Sequence, residues 1–372
     1  MLVNTTDPTG SGYYSAAVKM NSTSAIQLRS CDEFPLLCTL QTTMSFYGMW
    51  ILVSLGILTN ILVVMTLGKS RKMRRNSAGF LMIILATTDC VFLLTELMGL
   101  LDIYVLEERI DKPWCQILYY IKTTSRNMSN MATLLIIINR YALVCHLFTH
   151  TEVTSRRAAA LQTATVLIFC LVGSCWEFFV YSPKHRGCQL RRDYPTGRII
   201  YLVGDNVFTN LLCNIVPIVV IIVLTVLVLR ALRAYKEHLG QDSVAQQTRQ
   251  RKQGERQVTK ALMAVNVAFL TLHIPYLIVY TVYSLDGQLV DFAFRQFEAL
   301  DVARQVTKLM DTLNFTINLF LYVSYSAHFR QAFLSLLLCR PAPGQDSDVS
   351  KKSVSGCSQS VATEVQQVDS RI

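Results

Sequence analysis

An aspartate in the middle of an apolar block is the first residue of this chain whose chemistry needs a reason. Asp89 ends the string Leu85-Ala86-Thr87-Thr88-Asp89 within the block from Ala78 to Leu101, and an ionisable group at such depth is a functional candidate because its burial is costly. Asn60, Ser129, Asn314 and Asn318 fall at a comparable level when the polar connections are laid at two faces. One carboxylate among neutral oxygen donors suits a hard monovalent cation with water, sodium being the cation of that kind. The same side chains equally suit a hydrogen-bonded network that only joins helices, worth about 0.6 to 2 kcal/mol per bond. A second set carries both signs of charge: Glu96, Lys122, Arg126, Glu177, Asp205 and Asp311, with His273 in the same part of the sequence pattern. It suits a ligand with several polar groups, for instance a peptide carrying Arg and a capped or free terminus. The alternative is that Glu96 and Lys122 neutralise each other between neighbouring helices. Neither set is a catalyst. No paired carboxylate or Cys, Ser or His constellation is evident, His273 alone reads as a packed residue, and no metal spacing such as HExxH occurs. We expect no enzyme activity, no metal centre and no cofactor beyond that candidate ion.

The elements that must position these residues follow from composition. The chain has 372 residues, of which 52% are hydrophobic and only 16% charged, with a formal net charge of +10. Soluble chains use about a quarter of their residues as Asp, Glu, Lys and Arg, so the apolar excess excludes most soluble folds, and disorder of the bulk is excluded for the same reason. The basic balance of 35 against 25 does not make a nucleic-acid binder, which clusters its basic residues over a folded face. A transmembrane helix needs about 20 apolar residues. Seven blocks meet or approach that: Met44 to Leu67, Ala78 to Leu101, Ile117 to Cys145, Ala158 to Tyr181, Ile199 to Leu232, Val258 to Ser284 and Val302 to Tyr325. The third holds Lys122, Arg126, Asn127 and Asn130 and the seventh Asp311, Asn314 and Asn318, so both must be shielded inside a bundle. The fold class expected is all-α: a seven-helix membrane bundle over 44–325, a tail over 1–43, a short amphipathic helix over 326–339 and a disordered tail over 340–372.

Charge in the short connections sets direction. Lys69, Arg71, Lys72, Arg74 and Arg75 fall in the first, Arg156 and Arg157 in the third, and Arg233, Lys236, Arg249, Arg251, Lys252 and Arg256 in the fifth. The intervening loops carry Asp102, Glu107, Glu108, Asp111, Asp286, Asp291 and Glu298. The N-terminus is therefore read as extracellular, and Met1 to Ser30 lacks the apolar core of a signal peptide. Sequons at Asn4 and Asn21 fall outside, where glycosylation is physically accessible. Cys115 and Cys188 both lie on the oxidising side, and we expect them to be bridged. Cys31 and Cys38 either close a second small loop or remain free or differently paired. Ala327 to Leu338 spaces Phe329, Phe333, Leu336 and Leu337 as a surface-lying helix with Arg330 opposite, and Cys339 just after it is a candidate for palmitoylation. The terminal Ser370-Arg371-Ile372 fits a PDZ domain by strand addition.

At the inner end of the third block stands Asn139-Arg140-Tyr141, 25 residues from Cys115 to the arginine. With Gly56 to Asn60, Leu85-Ala86-Thr87-Thr88-Asp89, Pro217, Phe269 with Pro275, Asn318 to Tyr322 and Phe329, this order of motifs resembles the rhodopsin-like (class A) G-protein-coupled receptors over roughly Met44 to Cys339. The sequence departs from that pattern at several places. Asn139 stands where an acid is usual and Leu319 where a proline is. His273 takes the place of a tryptophan two residues before Pro275, Thr225 that of a tyrosine, and Trp176 lies near the outer end rather than in mid-span. The resemblance implies a two-state switch made of Asn139, Arg140, Tyr141, Phe269, Pro275 and Tyr322, with Glu255, 20 residues before Pro275, holding Arg140 at rest.

It also implies an extracellular ligand, a heterotrimeric G protein, and arrestin engaging a phosphorylated Ser-rich tail. An aminergic ligand would need an acid where Lys122 stands, and a light receptor a lysine where Thr312 stands. The loop Lys184 to Tyr194 has the alternation of a hairpin pinned by Cys188, as in receptors for peptides. The string Leu313 to Tyr322 is similar to invertebrate FMRFamide-type neuropeptide receptors. A lipid or small organic anion bound by Lys122 and Arg126 is the alternative. A transporter, which would show internal repeats or paired broken helices, is more remote because no repeat is visible.

Overall fold

The computed structural model describes residues 43–104, 112–145, 155–183, 188–190, 195–238, 246–289 and 298–338. Asn4, Asn21, Cys31, Cys38, Cys339 and the terminal tail lie outside them, as do the side chains of Cys188 and Glu255.

Among the described residues, five helices are long and apolar enough to cross a membrane. They include α1 (Met49–Lys69), α2 (Ser77–Tyr104), α4 (Arg156–Gly173), α5 (Val216–His238) and α6 (Gln246–Leu289). The two that fail on composition are α3 (Lys112–Cys145) and α7 (Glu298–Thr316), the polar pair singled out by the sequence. Their place in the bundle explains how they are tolerated. α3 packs against α2, α4, α5 and α6, whereas α7 lies between α6 and α1. Asn127, Ser129, Asn130, Asp311 and Asn318 are all buried, which removes the cost of turning them to lipid. The peripheral helices do the reverse. Leu161 is 71% and Val172 68% exposed on α4, and Ile51, Leu58, Val219, Val223 and Val267 extend the same apolar belt. An exposed apolar surface of this extent is foreign to soluble monomers and is the face a multi-pass membrane protein turns to lipid.

Two irregularities shape the interior. The helical turn Pro195–Tyr201 runs into a π-helical stretch, Leu202–Ile215, before α5 begins. Pro217, at the second position of α5, has no N–H and crowds the carbonyl four residues back, and the Val216 amide donates instead to the Leu211 carbonyl, five residues back. The other irregularity divides the seventh span at Ile317, after which the helix resumes over Asn318–Tyr325. No proline is present there. The carbonyls of Phe315 and Thr316 accept hydrogen bonds from Asn60 Nδ2 at 2.8 Å and Thr59 Oγ1 at 3.1 Å, so α1 supplies donors where the helical ladder is interrupted. Gly56 allows this approach: a Cβ there would meet Leu93 Cδ1 and Thr316 Oγ1 at 2.6 Å. Replacing Thr59 by Val together with Asn60 by Leu is expected to lower stability by about 1–2 kcal/mol, read as a fall in melting temperature. An unchanged melting temperature would mean that the break does not depend on α1.

Towards the end that holds Arg140, Leu81, Leu85, Ile136, Leu262, Tyr322 and Phe329 form one buried apolar cluster. Helix α8 (Ala327–Leu337) closes that end. Phe329 is buried against Tyr322, ring centroids 5.4 Å apart, and Lys69 Nζ donates to the Ser335 carbonyl at 3.0 Å. Phe333 and Leu336 are half-buried on the same side as Phe329, as the spacing predicts, whereas Leu337, expected there too, is exposed with Arg330 and Leu334. The only strands among the described residues are Tyr181–Pro183 and Cys188–Leu190, paired antiparallel with Pro183 opposite Cys188. The hairpin thus starts at Tyr181, earlier than the 184–194 expected from alternation.

Candidate functional site

At the opposite end from Arg140 the bundle opens into a cavity of about 330 Å³, lined from α2, α3, α6, α7, the end of the fourth span and the π-helical stretch. It collects the charged residues predicted for a ligand site: Glu96, Lys122, Arg126, Glu177, Asp205 and Asp311 all line it. Geometry then sorts them. Lys122 Nζ lies 2.7 Å from Glu96 Oε1 and Lys308 Nζ 3.7 Å from Glu96 Oε2, so the neutralisation of Glu96 by Lys122 that composition left open is realised. Arg126 forms an ion pair with Asp311, donates from Nη1 to the Tyr276 hydroxyl at 3.0 Å, and stacks its guanidinium over the Tyr276 ring. Tyr280 donates to Asp205 Oδ1 at 2.9 Å, and Thr123 donates to Glu177 Oε1.

His273 is not a wall residue. It is fully buried behind the cavity, with Nδ1 2.6 Å from Asp311 Oδ1 and Nε2 3.0 Å from Asn214 Oδ1. Asn130 Nδ2 reaches the same Asn214 oxygen at 2.6 Å. Both imidazole nitrogens face oxygens, so the ring bridges α7 to the π-helical stretch while Arg126 and Asn130 add α3. Phe269 stacks one turn away, its ring centroid 5.0 Å from that of His273. This chain connects the cavity to the middle of α6, just before Pro275. The imidazole points into the bundle and reaches the cavity wall through Asp311.

The polar core lies deeper. Asp89 accepts from Ser129 Oγ and, at 2.8 Å, from Asn318 Nδ2, which brings three of the five predicted residues together. Asn60 does not turn to Asp89: its amide donates to the Gly56 and Phe315 carbonyls, both at 2.8 Å. Asn314 is buried and makes no hydrogen bond to Asp89 among the described residues. Asp89 and Ser129 are the predicted oxygen donors joined directly by a hydrogen bond, while the buried Asn60 Oδ1 has no partner among the described residues. A sodium-sized ion fits the chemistry of Asp89 and Ser129.

At the end away from the cavity Arg140 is 2% exposed, and Asn139 Oδ1 accepts from Ser77 Oγ at 3.3 Å. The asparagine in place of an acid thus bonds to α2 as a neutral acceptor. Tyr141 is half-buried, Tyr322 is buried with its hydroxyl unpartnered among the described residues, and Pro275 interrupts the ladder of a helix that otherwise runs unbroken. Towards the cavity end, Cys115 is buried and disulfide-bonded. Gln116 Nε2 donates to the Tyr181 carbonyl at 2.7 Å, and Tyr119 stacks on Tyr181 at 4.1 Å, so the first strand of the hairpin is fastened to α3 beside the cavity.

Sequence reasoning missed Tyr276, Tyr280, Arg304 and Lys308 as wall residues. The signal was present. Positions 276 and 280 are one turn apart, and positions 304, 308 and 311 follow the i, i+4, i+7 spacing of one helical face. Trp176 was missed as a wall residue for another reason: its ring lies on the backbone of the π-helical stretch, where a Cβ on Gly204 would come within 2.3 Å of it. That contact has no periodicity to betray it.

No curated protein matches the chain. A family model described as 7 transmembrane receptor (rhodopsin family) matches residues 59–323, a segment that holds both polar sites, the Arg140 end and the break at Ile317. With most of its 372 residues covered by that match and its helices packed as seven spans, this chain belongs to the rhodopsin family of seven-transmembrane receptors.

Proposed function

We propose that this receptor binds an extracellular peptide, in the manner of neuropeptide receptors of the FMRFamide type, and activates a heterotrimeric G protein at the plasma membrane. The observation that carries the peptide assignment is the cavity wall. Four acids and four bases, Glu96, Glu177, Asp205, Asp311, Lys122, Arg126, Arg304 and Lys308, line one space of about 330 Å³. Small-molecule pockets are mostly apolar with few polar groups, whereas a peptide brings backbone amides, termini and charged side chains. In this proposal the N-terminus lies outside, and Cys188 as partner of Cys115 holds the hairpin at the mouth. The anion alternative is disfavoured because Lys122 and Arg126, its expected anchors, already face carboxylates of the protein. Asp89 and Ser129 would hold a sodium ion whose charge offsets the buried carboxylate.

Activation moves α6. Ligand contact with Asp311 or Tyr276 bears on His273 and hence on the segment of α6 before Pro275, and the inner end of that helix is where the G protein docks beside Arg140. Glu255 is the resting partner of Arg140 in this scheme, and arrestin, a PDZ domain and palmitoylated Cys339 act on the same face. The test is a neuropeptide library applied to cells expressing the chain, read by calcium and cAMP. We expect a peptide agonist whose response is weakened by Glu96→Gln. A response only to lipids or organic anions would overturn the peptide assignment.

A further inference from the structure

The cavity is chemically unfinished on one side. Facing α2, α3, α6 and α7, three bases meet carboxylates: Lys122 and Lys308 meet Glu96, and Arg126 meets Asp311. The wall between the end of the fourth span and the π-helical stretch is different. There Glu177 Oε2, the Trp176 indole Nε1, the Thr209 hydroxyl and both amide atoms of Asn210 have no hydrogen-bond partner among the described residues. All four residues line the cavity. Glu177 is 2% and Asn210 3% exposed, so bulk water does not satisfy them. The buried Asp205 carboxylate belongs to the same wall.

Buried polar groups in folded proteins are almost always paired, and a cluster of exceptions in one cavity marks what the cavity is built to receive. The unpaired set is rich in acceptors: a carboxylate oxygen, a hydroxyl and an amide oxygen, with a second carboxylate close by. An anionic ligand group would meet two carboxylates there. A guanidinium, with five N–H donors in a plane, or an ammonium with three, satisfies them. The indole N–H then faces a carbonyl or carboxamide oxygen next to the basic group.

We propose that this wall is the subsite for a basic group of the ligand, with Glu177 as counter-ion and Thr209 and Asn210 completing its hydrogen bonds. The proposal deepens the peptide-receptor assignment and rests on it only in that the ligand occupies this cavity. The test uses the full chain in lipid nanodiscs with two probes of nearly the same shape, L-arginine amide and uncharged L-citrulline amide, titrated into the millimolar range against melting temperature. Arginine amide is expected to raise the melting temperature and citrulline amide to leave it unchanged. In Glu177→Gln the half-saturating concentration should rise about thirtyfold, the consequence of removing one partner of a buried charge pair, and in Asn210→Leu by a smaller factor. Equal shifts with the two amides, no shift with arginine amide, or an unchanged titration in Glu177→Gln would overturn it. Should Glu177→Gln fail to fold, the comparison of the two amides on the unaltered chain decides. A peptide agonist with no basic group that signals equally through Glu177→Gln would sink the subsite and leave the peptide assignment standing. Arginine amide binding with a silent peptide library would do the opposite.

Discussion

Asp311→Asn is expected to destabilise the receptor by about 3 kcal/mol, the cost of breaking a buried ion pair by removing one partner. The aspartate is 3% exposed and faces Arg126 on one oxygen and His273 on the other. Neutralising it leaves the guanidinium opposite an amide and takes the best acceptor from the imidazole. Helices α3, α6 and α7 meet at that carboxylate, so the loss falls on the packing of three spans together. The measurement is the melting temperature of the purified chain and its surface expression. Coupling shows in a double-mutant cycle: Arg126→Met on its own should also be harmful, yet Arg126→Met with Asp311→Leu should recover much of the loss, because the pair is replaced by apolar groups. Single effects that simply add would mean that the two side chains do not act as a unit.

The second large effect is on signalling. Arg140→Ala is expected to reduce agonist-driven nucleotide exchange to background while leaving agonist binding and surface expression close to those of the unaltered chain. Arg140 is buried, at 2% exposure. In a two-state switch a rearrangement of α6 would expose this guanidinium to a partner. Arg140→Leu separates the explanations. If the residue merely fills space, leucine restores exchange; if it makes a charged contact with the G protein, leucine is as silent as alanine and lysine recovers part of the response. Full exchange in Arg140→Ala would remove the residue from the switch.

Much of the fold was legible because membrane helices announce themselves by apolar length, and the two polar spans announce that they are interior. The charged cavity was legible in part. Every acid and base predicted from depth alone, from Glu96 to Asp311, does line it, since helical rise fixes depth to within about a turn. Rotation about the helix axis was harder to read. Asn60 shares the depth of Asp89 yet faces α7, where its amide holds the break at Ile317, and His273 shares the depth of the cavity yet points behind it.

The sequence by itself determined seven spans, their alternating basic connections, the interior position of α3 and α7, and the cast of ionisable residues. Only the tertiary structure decided who pairs with whom. Arg126 and Asp311 are separated by 185 positions, and nothing local to either helix says that they meet. That meeting is set by how closely the helices approach and how they are turned, which depends on small residues such as Gly56 under Thr316 and Gly204 under Trp176, and on the π-helical register that carries Asn210 and Asn214. Periodicity fixes the face a side chain occupies on its own helix; the neighbour it finds is a property of the packing.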